Sequence, residues 1–241
     1  MNRTLIFFFF FMFSLYSGVF ASLSLSLKEN VCISGLYEQD TLSKNQNLYN
    51  GKVWTNTHRR INGDPYLFAN YFLPGTVSCN SKNYKNLTIR YDIFSDEITI
   101  PVNRAEILQL NKEMVDSFTL SFENRVFKFI QIRDTLNRVE GFQGYINVLY
   151  QQKSALFIKY IKLITPEITD KSDGDFLQTK KVFLVKEGIV SLIGSVNDLY
   201  KALNTDKTQV KEFLKKNKLK ISRDMPETYI PLIKYYDNKG L

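Results

Sequence analysis

Histidine is almost missing from this chain: His58 is the only one among 241 residues. Cysteine is nearly as scarce, with Cys32 and Cys79 alone. A thiol or hydroxyl nucleophile needs a base beside it, and a zinc centre needs clustered Cys and His ligands. These shortages exclude a catalytic thiol and a structural zinc site, and a Ser-His-Asp triad would have to recruit His58 from "NTHRRING", a basic loop-like stretch. Gly-rich phosphate loops and Gly-x-Ser-x-Gly elbows are absent too. No cofactor and no metal is expected.

Long apolar runs are equally rare. The only one opens the chain, "MNRTLIFFFFFMFSLYSGVFASLS", where Arg3 precedes an apolar stretch from Leu5 to Tyr16 and Val19-Phe20-Ala21 fits the small-residue pattern of a signal peptidase site. Residues 1–21 are therefore expected to be a signal peptide. The alternative is an uncleaved anchor, which the break at Ser17-Gly18 opposes because a span needs about 20 apolar residues. No later segment has that length, so an exported protein without a transmembrane span in the mature chain is expected, in the periplasm, at the outer membrane or secreted. In an oxidising compartment Cys32 and Cys79 permit one disulfide. Two unpaired thiols are the other option, since Cys79 alternates with Val77 in a strand pattern.

The net charge is +8, and eight Lys or Arg lie between Lys201 and Arg223 against Asp206 and Glu212. For an exported chain this excess suits anionic envelope polymers, lipid headgroups or another envelope protein, and no nucleic acid is expected. Lys211, Lys215, Lys216, Lys218 and Lys220 are the candidate anion-binding residues. The plainer reading is a solvated helix face.

Period-two patterning dominates the middle of the chain. "TVSC", "LTIRYDI", "EITI", "EILQL", "SFTLSF", "RVFKFIQI", "GYINVLY" and "ALFIKYIKL" are rich in β-branched and aromatic residues and are separated by short polar turns. Turns at Asn80–Asn83, Glu123-Asn124 and Gln151–Lys153 have hairpin length. Residues 22–165 are thus expected to form an antiparallel β-rich domain, and polar residues 166–175 a loop. In residues 176–241, "KKVFLVKEGIVSLIG" predicts a hairpin, followed by short helices packed on the sheet. Ser195 with Asp198 forms a capping box for a helix at 196–203, Thr205 can cap a second, and a third begins near Thr228 with Pro231 in its first turn. The predicted class is mainly β (α+β): an antiparallel sheet, sandwich or open barrel-like, with two or three short C-terminal helices.

The only acidic cluster that resembles chemistry is in "LTIRYDIFSDEITIP". Leu87, Ile89, Tyr91 and Ile93 share one strand face, while Arg90 and Asp92 share the other and are expected to pair. The apolar phase then shifts, which requires a turn or bulge at Ser95-Asp96. Asp96 can fix that bend through backbone amides. A hydrolase would instead use Asp92, Asp96 and Glu97, but no second acidic cluster completes the pair such a reaction needs. "DKSDGD" lacks the distal Glu of a calcium loop. Trp54, Tyr66, Phe68, Tyr71 and Phe72 crowd a turn-rich stretch, suited either to a binding surface or to covering the sheet.

"YNG" at Tyr49–Gly51, "FLPGTVSCNSKNYKNLTIRYDIFSDEI" and "VKEFLKKNKLKI" together resemble a group of uncharacterised exported proteins of Gram-negative bacteria. The group has a strand-turn-strand unit with a YDI..DEL-type motif, then β-hairpins and a Lys-rich helical C-terminus. Ile98 stands where the motif usually has Leu, and Pro231 interrupts the last helix. The resemblance implies export and this architecture, and it carries no functional residue over. The expected function is a non-enzymatic binding or structural component of the cell envelope, with an envelope glycan or peptide hydrolase as the alternative.

Overall fold

Four tight turns set the register of most of the molecule. In a computed structural model that describes residues 48–103, 105–133, 139–166 and 172–239, both central residues have positive φ at Asn80-Ser81 (49°, 64°), Glu123-Asn124 (48°, 60°) and Glu187-Gly188 (52°, 77°). That geometry matches the right-handed twist of the strands it joins. The fourth turn, between Asp92 and Glu97, ends on Asp96 at φ 59°. The expected leader, residues 1–21, and Cys32 lie outside the described residues.

The strands are β1 (Gly51–Val53), β2 (Ile61–Asn62), β3 (Leu73–Cys79), β4 (Lys82–Asp92), β5 (Glu97–Pro101), β6 (Ile107–Leu110), β7 (Val115–Phe122), β8 (Arg125–Ile132), β9 (Gly144–Gln151), β10 (Ser154–Thr165), β11 (Gly174–Lys186) and β12 (Ile189–Leu192). They form one open sheet in the order β1-β6-β5-β4-β3-β7-β8-β9-β10-β11-β12, with β2 added in parallel to the start of β11. All other pairings are antiparallel. The polar stretch expected as a boundary joins β10 to β11, which pair from Ser154↔Lys186 to Thr165↔Asp175. Strand β11 begins at Gly174, within the last two positions expected to be loop.

The sheet curls onto itself. Tyr91, Phe118, Phe129 and Tyr145, from β4, β7, β8 and β9, meet in its concave interior with ring centroids 4.6 Å (Phe118 to Phe129) to 5.9 Å (Tyr91 to Tyr145) apart. The curl brings the end of β4 against β10, where the Lys162 N–H donates to the Ile93 carbonyl at 3.2 Å. On β7 the alternation is as expected, with Phe118 and Leu120 buried and Thr119 and Ser121 half-buried.

Strand β4 departs from that alternation. Ile89, Tyr91 and Ile93 are buried, but so are Arg90 and Asp92 on the opposite face. Trp54, Tyr66 and Phe72 cover that face around Arg90, Phe68 stacks on Phe122 and Phe127 on the opposite face, and Tyr71 stays exposed.

Three helices follow the sheet: α1 (Val196–Ala202), α2 (Lys207–Lys216) and α3 (Ile230–Lys239). The Ser195 side chain caps α1 by accepting from the Asp198 N–H, as the capping box predicts. Thr205 does not cap α2. Asp206 holds that position without a side-chain bond, because the Thr205 hydroxyl is engaged with the buried Tyr236 hydroxyl at 2.5 Å. Pro231 lies in the first turn of α3, where no intrahelical N–H is lost. Leu199, Tyr200, Val210, Leu232, Ile233 and Tyr236 bury against Tyr150, Leu156, Ile158, Val182 and Leu184 of β9 to β11. Among the described residues no helix is long and apolar enough to cross a membrane.

Candidate functional site

The three acids of the cluster have three different surroundings. Asp92 closes its own turn: Oδ1 accepts the N–H groups of Phe94 and Ser95 at 2.8 and 2.9 Å, and Oδ2 accepts the Ser95 hydroxyl at 2.8 Å. This is the Asx-turn role that a short carboxylate plays at a strand end.

Asp96 does more than fix the bend. Its positive φ swings the carboxylate toward the curled interior, where Lys112 Nζ lies 2.6 Å from Oδ2 and Lys159 Nζ 2.7 Å from Oδ1. The Tyr91 hydroxyl donates to Oδ1 at 2.5 Å, and the Tyr145 N–H donates to Oδ2 at 3.2 Å. Gly144 makes the approach possible. A Cβ there would lie 1.9 Å from Asp96 Oδ2, and its φ of 71° suits glycine. Lys159 also donates to the Tyr145 carbonyl at 3.1 Å. One carboxylate thereby ties the β4–β5 turn to the 3-10 turn Lys112–Met114, to β9 and to β10.

Electrostatics agree with a structural clasp. Burial pushes the Asp96 carboxyl up, but the charge of Lys159 and hydrogen bonds from Lys112, Lys159 and Tyr91 outweigh it and hold the pKa below the ordinary carboxylate value. Burial pulls Lys159 down, Asp96 opposes that, and the like charge of Lys112 adds to it. Burial and then Asp96 raise the Tyr91 hydroxyl well above its ordinary value. A base or acid working near neutral pH needs a pKa near that pH. Asp96 is instead held ionised, and Tyr91 protonated.

Glu97 stands opposite Asp92 in the strand register and lines a cleft of about 370 Å³ with Trp54, Asn56, His58 and Gln109. Its only acidic neighbour in that lining is Asp92, whose oxygens are taken by the turn. His58 is set edge-on to Phe94 and Phe176, with centroids 4.9 and 5.8 Å away. Asp92, Asp96 and Glu97 therefore do not converge on one reacting position. No group of three or more His, Cys, Asp or Glu residues able to hold a metal occurs among the described residues.

Arg90 corrects another expectation. It makes no ion pair with Asp92; its guanidinium carbon lies 3.8 Å from the Tyr66 ring centroid, 4.7 Å from Phe72 and 5.2 Å from Trp54. Its Nε and Nη2 are buried without a hydrogen-bond partner among the described residues. The reason is competition, because Asp92 is spent on three nearer donors, while a guanidinium gains cation–π attraction from the rings laid over it. Cys79 is buried at the end of β3, and burial pushes its thiol up. Its candidate partner Cys32 falls outside the described residues.

The candidate anion-binding lysines are exposed. Lys211, Lys215 and Lys216 project from α2, away from the buried Val210, and Lys218 and Lys220 follow directly. Among the described residues none of the five makes an ion pair.

Sequence reasoning found the bend at Asp96 but missed Lys112, Lys159 and Tyr145, which come from 16, 63 and 49 positions away. One signal was present. Lys159 shares a strand phase with Phe157 and Ile161, a place where an unpaired cation is costly and a partner should be sought. Comparison with protein-family models, with curated proteins and with solved structures finds no match to this chain.

Proposed function

We propose that this protein is an exported, non-enzymatic binding component of the cell envelope, of the kind its resemblance to exported Gram-negative proteins implies. The observation that carries this reading is the engagement of Asp92 and Asp96 by internal partners, which leaves Glu97 without a second free acid among the described residues lining its cleft. Binding then falls to the exposed cations of α2 and the residues after it. Five unpaired lysines on one short stretch suit a polyanion, such as an acidic envelope polymer or anionic headgroups.

Two experiments test the reading. Cell fractionation should place the protein outside the cytoplasm, and a cytoplasmic location would overturn export. Co-sedimentation with vesicles containing anionic lipid, or with acidic polysaccharide, should fall at least tenfold between low and physiological salt, since exposed charges are screened over about 8–10 Å. Reversing Lys211, Lys215 and Lys216 to Glu should abolish it. Salt-insensitive or absent binding removes α2 as the ligand face, and cleavage of a labelled envelope glycan or peptide that is lost in Glu97→Gln replaces this reading with the hydrolase.

A further inference from the structure

A second binding element lies on β11, apart from the basic helix. This strand pairs with β10 from Asp175 to Lys186, but its other side is only partly filled. Strand β12 covers Phe183 to Lys186, and β2 covers Gly174 and Asp175. Between them, from Phe176 to Lys181, no strand pairs on that side among the described residues. The gap is about 20 Å long at 3.3 Å per residue. It opens into a groove of about 600 Å³ lined also by Tyr160, Arg223 and Asp224, with Leu192, Ile193 and Gly194 at the end where β12 pairs.

The phase of the free backbone follows from one bond. The Val182 carbonyl accepts the Ile193 N–H at 2.8 Å, so the backbone groups of Val182 face the groove side of β11. In an antiparallel strand every second residue points its N–H and C=O the same way. Gln178 and Lys180 therefore present their main-chain donors and acceptors to the groove, and Leu177, Gln178, Thr179 and Lys180 are all exposed.

We infer that this gap receives an extended, acidic peptide segment of a partner protein, added as a strand between β2 and β12. Charge decides the occupant. Lys180, Lys181 and Arg223 line the groove against the single acid Asp224. Among the described residues Lys181 has only the exposed Glu140 as counterion, at 3.0 Å, and Lys180 Nζ is bonded to the Asp224 carbonyl rather than to a carboxylate. Lysines on an open edge oppose pairing with a second copy of the same edge, where they would meet like charges. An acidic strand meets opposite charge and main-chain donors together, the mode known as β-augmentation.

The test uses the full chain and a fluorescent hexapeptide of alternating glutamate and valine, read by anisotropy and by amide hydrogen exchange. The acidic peptide should bind saturably, protect the Gln178 and Lys180 amides from exchange, and weaken at least tenfold when its alternate amides are N-methylated. Lys180→Glu with Lys181→Glu should abolish binding, while charge reversal at Lys211, Lys215 and Lys216 should leave it within twofold, which separates this site from the α2 face. Unchanged binding of the N-methylated peptide or of a lysine-valine analogue would overturn the proposal. So would exchange protection confined to α2, the absence of binding, or displacement of the peptide by self-association of the chain through β11.

Discussion

Two carboxylates, the half-buried Asp96 and the buried Asp237, hold this molecule together by different physics. Asp96 joins the two sides of the curled sheet, and Asp237 docks α3 on the turn between β9 and β10. Around Asp96 the donors are two lysines, a tyrosine hydroxyl and an amide. Around Asp237 all the bonded donors are neutral: the Tyr150 hydroxyl at 2.8 Å, the Ser154 hydroxyl at 2.6 Å and the Ser154 N–H at 3.1 Å. Both carboxyls are pushed up by burial and then held below the ordinary value, Asp96 chiefly by the charge of Lys159 and Asp237 chiefly by hydrogen bonds from Ser154. A desolvated anion thus has two sources of compensation, Coulomb attraction and oriented dipoles. The second leaves no buried cation behind when the acid is lost, and that difference can be measured.

The largest effect is expected at Asp96. Asp96→Asn strands Lys159, about nine-tenths buried at its side chain, without a counterion, and removing one partner of a buried pair typically costs about 3–5 kcal/mol. Chemical denaturation should show that loss. A second substitution, Lys159→Met, should recover much of it, because an apolar residue needs no partner. Failure of the double variant to recover would mean that the hydrogen bonds of the clasp, rather than its charges, carry the stability.

Asp237→Ala should cost less, about 2–3 kcal/mol. The Ser154 hydroxyl and N–H are left buried and unsatisfied, a penalty of ~1–3 kcal/mol each that water entering the truncated site partly relieves, whereas the Tyr150 hydroxyl keeps Gln152 Oε1 at 2.9 Å. A carboxylate in the last turn of α3 also faces the negative end of the helix dipole, so its removal returns about 0.3–1 kcal/mol. No lysine substitution should rescue this variant, in contrast with Asp96.

Acidity sharpens the comparison. Both aspartates have folded-state values below the ordinary 3.8, so each adds stability that is present above that value and is lost as pH falls through the folded-state value. Lys159 behaves in the opposite sense. Its folded-state value is lowered from 10.5, so the folded chain releases its proton first and stability rises with pH across the alkaline window between the two values. In Asp96→Asn the acid-side loss should shrink by the share of Asp96, with those of Asp237 and of Asp173 beside Arg60 remaining, and the alkaline rise should grow. Denaturation midpoints measured across both pH ranges check both signs.

Much of this architecture was legible in advance because it depends on neighbours in sequence. The eight period-two runs each became a strand, β3 to β10, and the bend at Asp96 followed from the change of phase between Ile93 and Ile98. Strands β1 and β2 were not visible, since three and two residues carry no periodicity. The clasp was illegible for another reason. Which lysine reaches Asp96 depends on the curl that brings β10 to the end of β4, and on Gly144 leaving room for the carboxylate. Arg90 was misjudged because same-face spacing on a strand shows proximity but not competition. Asp92 had closer donors in its own turn, and three rings arrived from a segment with no regular pattern.

The smallest effect, and the sharpest probe of charge balance at the clasp, is Lys112→Met. Two cations serve one carboxylate there, and they are unequal: the Lys112 side chain is 38% exposed and that of Lys159 10%. Water screens the outer pair, so its loss should cost no more than about 1 kcal/mol. The inner pair should tighten in compensation. Lys112 is among the causes that lower the Lys159 pKa, so its removal should move that pKa back toward 10.5 and reduce the alkaline rise in stability. Titration of the Lys159 side chain by NMR in the two proteins reads this directly. An unchanged Lys159 value would mean that solvent already screens the two lysines from each other, leaving Asp96 and Lys159 as the whole of the clasp.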